Sequence, residues 1–166
     1  MKKIYTILSM AVLVIVSCQQ TPQVVPVDIE AEKAAVAALF DKFNSAFNAK
    51  DAAAMTAFLT EDALSCGTDP TEFWNKKQIT DLWTQSLADT ALKINYSYNK
   101  REIRVAADGN SAIVVEQYIM PFLSSKIPLR NVYNAVKTNE NWMIDFLSWN
   151  FIPKNEDIPK LNKAVE

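Results

Sequence analysis

Residues 92–120, "LKINYSYNKREIRVAADGNSAIVVEQYIM", decide the fold. Apolar and polar side chains alternate along the first half, with Ile94, Tyr96 and Tyr98 in one phase and Ile103 and Val105 in the other. A period of two marks a strand with one covered face. The phase switch near Asn99 predicts a bulge or bend, because a one-residue slip exchanges the two faces. Asp108-Gly109-Asn110 reads as a hairpin turn. The next run, 111–120, carries apolar residues on both faces and is stopped by Pro121. "LRNVYNAVK" (129–137) and "NWMIDFLSWNF" (141–151) are two more strands, joined through the polar "TNEN" (138–141). Together they predict a four-strand antiparallel meander.

Upstream the period changes. Ile29, Val36, Phe40, Phe43 and Phe47 stand at helical spacing over 29–48, with Glu30, Glu32, Lys33 and Lys42 elsewhere, so an amphipathic helix with an aromatic stripe is expected. "NAKD" breaks it, and Asp51 is placed to cap a short second helix carrying Met55, Phe58 and Leu59. A brief strand, "ALSC" (63–66), precedes "CGTDPTEFW" (66–74). There Gly67 and Asp69-Pro70 mark turns, and Phe73 and Trp74 are expected to plug the side or mouth of the fold. Asn75 and Gln78 have capping-box spacing for a third helix with Ile79, Leu82, Trp83 and Leu87 on one side. Pro153 and Pro159 mark a trailing tail. Helices segregated to one face of an antiparallel sheet make an α+β layer. A long bent sheet around a long helix makes a cone, whose open end is a natural pocket.

The chain has 166 residues, 49% of them hydrophobic, and a formal charge of −2. That is enough for one domain with a full core. Without a basic stripe, nucleic acid is an improbable partner. The sequence contains no His and two Cys, so neither a zinc site nor any other cofactor is expected.

The N-terminus opens "MKKIYTILSMAVLVIVSC". Lys2 and Lys3 precede an almost unbroken apolar run, Ile4–Val16, of 13 residues. Spanning a bilayer takes roughly 20, so the run has the length and flanks of a secretory signal. Ile15-Val16-Ser17-Cys18 resembles the bacterial lipobox, which implies lipidation of Cys18 and a membrane anchor through it. The sorting rules for such lipoproteins imply the outer membrane, facing the periplasm. The expected organisation is a signal peptide over 1–17, lipidated Cys and extended tether over 18–28, the domain over 29–152 and the tail over 153–166. Cys66 is then the only remaining thiol, without a disulfide partner or a histidine base.

The element order, with "FNSAFNAKDAAAMTAFLTEDA" (43–63), "GTDPTEFWNKKQI" (67–79) and "NWMIDFLSWN" (141–150), resembles the NTF2-like superfamily, most closely its SnoaL-like and DUF4440-type branches. The resemblance implies three N-terminal helices packed on a strongly curved antiparallel sheet, over roughly residues 29–152. The superfamily hosts isomerases, cyclases, dehydratases, ligand carriers and dimerisation modules, so fold alone does not assign function. The general-base Asp of ketosteroid-isomerase-like members falls here at Cys66 or Gly67. The frame that relatives end as W-x-I-x-H-x-H-x-S reads Trp142, Ile144, Phe146, Ser148 and Asn150. The pocket arginines of kinase association domains fall at Gln117, Tyr133 and Trp149.

The same alignment implies that Val115, Gln117, Asn131, Tyr133, Leu147 and Trp149 face the cone interior, joined by Phe43, Phe47, Trp74 and Trp83. That set makes an aromatic cavity with a few hydrogen-bonding groups, suited to a small hydrophobic or amphipathic molecule. The competing expectation is that these side chains simply fill the core. Asp145 is the candidate acid or base, a carboxylate in the inward phase among Met143, Leu147 and aromatics. Its alternative is a bulge or rim position. Glu116 and Arg130 are expected to be near cross-strand neighbours and to pair. The leading expectation is a lipid-anchored binding domain without catalysis. The alternatives are a SnoaL-like isomerase, cyclase or hydrolase using Asp145 with Tyr133 or Gln117, and a homodimeric interaction module using the outer sheet face.

Overall fold

The computed structural model describes residues 26–165. The expected signal peptide, Cys18 and most of the expected tether lie outside the described residues. Among those described, no helix is long and apolar enough to cross a membrane.

The chain begins with α1 (Ile29–Asn48), α2 (Ala52–Ala57), β1 (Leu59–Cys66), β2 (Phe73–Asn75) and α3 (Lys76–Leu87). It continues with β3 (Lys100–Val105), β4 (Ser111–Met120), β5 (Ser124–Thr138) and β6 (Asn141–Phe151), then a short 3₁₀ turn and α4 (Ile158–Ala164). Local chemistry sets the helix starts. The carboxylates of Asp28 and Asp51 accept from the backbone N–H of Ala31 and Ala54 at 3.0 and 2.9 Å. Asn75 and Gln78 form the reciprocal capping box of α3, both bonds at 3.0 Å.

The six strands form one sheet in the order β2-β1-β6-β5-β4-β3. The predicted meander is its antiparallel half, from β3 to β6. β1 joins β6 in parallel, and the three-residue β2 pairs back onto β1. Residues 92–98 are not a strand, although their alternation suggested one. The Asn48 amide takes the place of a partner strand there, accepting from Tyr96 N at 2.7 Å and donating to Tyr96 O at 3.0 Å. The ladder begins only where Asn99 N reaches the Gln117 carbonyl at 2.9 Å. The tail folds into α4, which buries no residue.

α1 lies along the concave face of the sheet. Val36, Phe40 and Phe43 pack with Leu59, Ile79, Tyr133, Ile144 and Leu147 in the main core. A smaller cluster of Tyr96, Tyr118, Met120 and Leu129 sits beside it. Near its start α1 is clasped to the far end of the sheet, where Glu32 accepts from Lys137 at 2.5 Å and from the Trp142 indole N–H at 2.9 Å. The β3–β4 turn lies at the same end. Gly109 there has φ +70°, and a Cβ on it would come within 2.5 Å of Val27.

Strand phase corrects several expectations. In β4 the inward positions are Ala112, Val114, Glu116, Tyr118 and Met120. Val115 and Gln117 therefore face the outer side, where they share a groove with Lys100, Arg104 and Arg130. The pair Glu116–Arg130 does not form. Arg130 stands opposite Gln117 and donates to its side-chain oxygen Oε1 at 3.0 Å, whereas Glu116 stands opposite Asn131. In β6 a register shift leaves Asp145 as an extra residue between Ile144, opposite Ala135, and Phe146, opposite Asn134. Its carboxylate accepts from Asn134 Nδ2 at 2.8 Å. Asn134 alternates with the inward Tyr133 and Ala135, so Asp145 is a paired bulge residue on the outer side and not an interior acid.

Candidate functional site

Below Phe40 and beyond the middle of α1, the sheet and helices part around a cavity of about 210 Å³. Its floor is buried and its mouth lies between the β1–β2 loop, α3 and the β4–β5 turn. Thr68, Leu82, Ser86, Phe122 and Leu123 are the exposed residues of the rim.

Seven of the ten expected pocket residues line this space. α1 supplies Phe43 and Phe47, β2 Trp74, α3 Trp83, β5 Asn131 and Tyr133, and β6 Trp149. Their rings meet mostly edge to face: Phe43–Trp83 centroids are 5.9 Å apart, and Trp74–Trp149 and Trp83–Trp149 are each 6.5 Å apart. Leu147 is inward and fully buried but belongs to the core, not to the cavity wall. Val115 and Gln117 are excluded by strand phase, and Asp145 by the bulge.

Sequence reading missed much of the polar floor. Tyr118 donates to Asn131 Oδ1 at 2.8 Å, and Asn131 Nδ2 donates to the Tyr133 hydroxyl at 2.7 Å. Behind Tyr96 lies Glu116, 0% exposed. Tyr96 donates to Glu116 Oε2, and Asn44 Nδ2 reaches both carboxylate oxygens at 3.1 and 3.2 Å. Arg101 Nε donates to Oε1 at 2.6 Å, and Nη2 lies 2.6 Å from the same oxygen as an ion-pair contact without hydrogen-bond alignment. Arg101 is held in turn by Asp41 at 2.6 Å and by the Tyr98 ring, 4.1 Å from its guanidinium carbon. Burial opposes the charge of Arg101, but the bond to Asp41 and the Glu116 charge outweigh it and raise its pKa.

A buried charge is tolerable only when paired and hydrogen-bonded, and Glu116 meets that condition on both oxygens. It is a saturated acceptor, with no lone pair aimed at the cavity as a general base would need. Burial, the largest influence, pushes the phenols of Tyr96, Tyr118 and Tyr133 well above their ordinary 10.0, and the nearby Glu116 charge adds to the shift. They remain neutral hydrogen-bonding groups. The even phase of β4 points Glu116 and Tyr118 inward, but Asn44 on α1 and Tyr96 ahead of β3 carry no comparable signal.

"CGTDPTEFW" forms one side of the mouth. Gly67, Thr68, Glu72 and Trp74 all line the cavity. Cys66 is a half-buried free thiol that does not line it. Among the described residues no group of His, Cys, Asp and Glu has the arrangement of a metal site.

A curled sheet wrapped on a long helix with a cavity at its open end is the NTF2-like architecture. The chain belongs to the SnoaL-like domain family, which matches residues 36–147. Solved structures agree on the fold. An NTF2-like protein of unknown function from Pseudomonas putida KT2440 has a TM-score of 0.65 at 13% identity, over 76% of this chain and 91% of that one. A domain of unknown function with a cystatin-like fold from Nostoc punctiforme has 0.64 at 19% identity, over 80% and 85%. A ketosteroid isomerase-like protein from Erwinia carotovora atroseptica has 0.58 at 16%, over 74% and 98%. No curated protein matches the chain.

Proposed function

We propose that the protein binds a small hydrophobic or amphipathic molecule in the aromatic cavity, without catalysing a reaction on it. The observation that carries this reading is the chain Tyr118–Asn131–Tyr133 at the floor of an otherwise apolar space. The Asn131 amide turns its oxygen to one phenol and its nitrogen to the other, so it accepts the proton of only one of them. Tyr133 accepts from Asn131, and its own proton has no protein acceptor among the described residues. Turning the amide over exchanges the two tyrosines and leaves one proton over all the same. A buried donor without a partner is costly, so the floor suits a ligand with a hydrogen-bond acceptor.

Size limits the ligand further. Pockets for drug-sized molecules run to about 300–1,000 Å³, and this one is about 210 Å³. At protein packing density it holds roughly a dozen non-hydrogen atoms. The non-catalytic part of this reading is supported by the two carboxylates of the inner strands, β4 and β6. Glu116 is saturated by Asn44, Tyr96 and Arg101, and Asp145 is held by Asn134 away from the cavity.

Native mass spectrometry of the purified protein is expected to show a bound mass below about 200 Da. Camphor, a neutral ketone of this size, is expected to change the emission of the three cavity tryptophans, and Tyr133→Phe to weaken that response. A protein that carries no adduct and does not respond to camphor would overturn the reading.

A further inference from the structure

Among the described residues, only one side chain lining the cavity is acidic or basic. It is Glu72, at the mouth; neither Lys nor Arg is present in the wall. Its Oε2 accepts from the backbone N–H of Asp69 at 2.9 Å, which fixes the carboxylate in the β1–β2 loop. Oε1 has neither a hydrogen bond nor an ion pair among the described residues. A half-buried carboxylate beside apolar walls gains from any cation brought to it.

The neighbouring side chains favour the same charge. A Cβ placed on Gly67 would come within 2.0 Å of Glu72 Oε2 and within 2.7 Å of Trp74 Cη2. Carboxylate and indole therefore converge over the bare backbone of Gly67. Trp149 follows Trp74 at 6.5 Å, and Trp83 follows Trp149 at 6.5 Å. Aromatic faces attract cations, indole most of all, and an indole beside a carboxylate, with two further indoles following along the same wall, suits an ammonium whose hydrating water has been removed. The glycine is part of this arrangement, since any side chain there would displace both Glu72 and Trp74.

We infer that the cavity selects an organic cation, an amine or quaternary ammonium of about a dozen non-hydrogen atoms, with Glu72 as its counter-ion and Trp74, Trp83 and Trp149 as its aromatic wall. The inference rests on the binding function proposed above and gives its ligand a charge. The cationic end sits at the mouth and the apolar body in the space above the tyrosine floor.

The test uses the full-length chain and two probes of one shape. Benzyltrimethylammonium carries the charge, and neopentylbenzene has carbon in place of the nitrogen. Apolar walls alone would favour the hydrocarbon. The inference predicts that the cation binds about tenfold tighter or more, followed by tryptophan emission. Added NaCl should weaken the cation and spare the hydrocarbon. Glu72→Gln keeps an oxygen for Asp69 N–H and should abolish the preference without weakening the hydrocarbon. Equal or tighter binding of neopentylbenzene to the unaltered chain would overturn the inference and leave the cavity function standing. A preference that survives Glu72→Gln would also overturn it. Binding of neither probe would overturn the inference and leave the cavity function to the camphor test.

Discussion

At the residue scale the most consequential group is Glu116. It is an acid on a strand whose other inward positions are Ala112, Val114, Tyr118 and Met120. It is tolerated because Arg101, Asn44 and Tyr96 converge on it from three other segments. Such a pair adds little net stability against a well-packed apolar substitute, but breaking it strands a charge in the interior. Arg101→Met is therefore expected to cost about 3–5 kcal/mol, read as a lower urea midpoint. Arg101→Met with Glu116→Gln should recover part of that loss, because the stranded charge is gone. A single variant as stable as the parent would show that Glu116 is solvated in a way its full burial does not suggest. No local pattern in the sequence marks this cluster. Its members are spread from Asp41 to Glu116, and a lone Glu in a strand reads first as a surface residue.

At the scale of elements, α1 is fixed to the β5–β6 end of the sheet through Glu32. The bonds from Lys137 and Trp142 hold its carboxyl below the ordinary 4.5. A lowered pKa in the folded state means that the stabilisation is present above the unfolded value and is lost as pH falls through the folded one. Glu32→Gln is accordingly expected to lower the urea midpoint at neutral pH, with the difference from the parent shrinking as pH drops well below 4.5. A difference that stays constant down to about pH 3 would mean that the clasp does not depend on ionisation. Elements of this kind were readable where one period dominated. The helical stripe of α1, the capping box of α3 and the order of the meander all followed from spacing. β4 was not readable in the same way, because Ile113, Val115 and Ile119 on one face match Ala112, Val114 and Met120 on the other. With both phases apolar, alternation carries no information about which side is inside, and Val115 and Gln117 were placed on the wrong one. Counting along β6 gives Asp145 the inward phase, and of its two expected placements the structure takes the paired bulge position. A bulge changes phase within a strand without leaving a Gly or Pro to mark it. Residues 92–98 alternate as a strand does, yet their partner is one asparagine side chain.

At the scale of the whole molecule, the lipobox-like stretch Ile15–Cys18 carries the expectation of a lipid anchor on Cys18. Lipidation there predicts that the protein partitions with membranes, and that Cys18→Ser moves it to the soluble fraction with the cavity's ligand response intact. A serine variant that stays with the membrane would place the attachment elsewhere.

The geometry of α1 gives that attachment a direction. A helix of 20 residues is about 30 Å long. The chain enters it beside Gly109 and the Glu32 clasp, while Phe43 and Phe47, near the other end, border the cavity. Handle and aperture are thus at opposite poles of the domain. A pull on the N-terminal residues is borne by the Lys137–Glu32–Trp142 clasp and does not load the rim at Leu82, Phe122 and Leu123. Attachment through the N-terminus and ligand entry therefore do not compete for the same end of the domain.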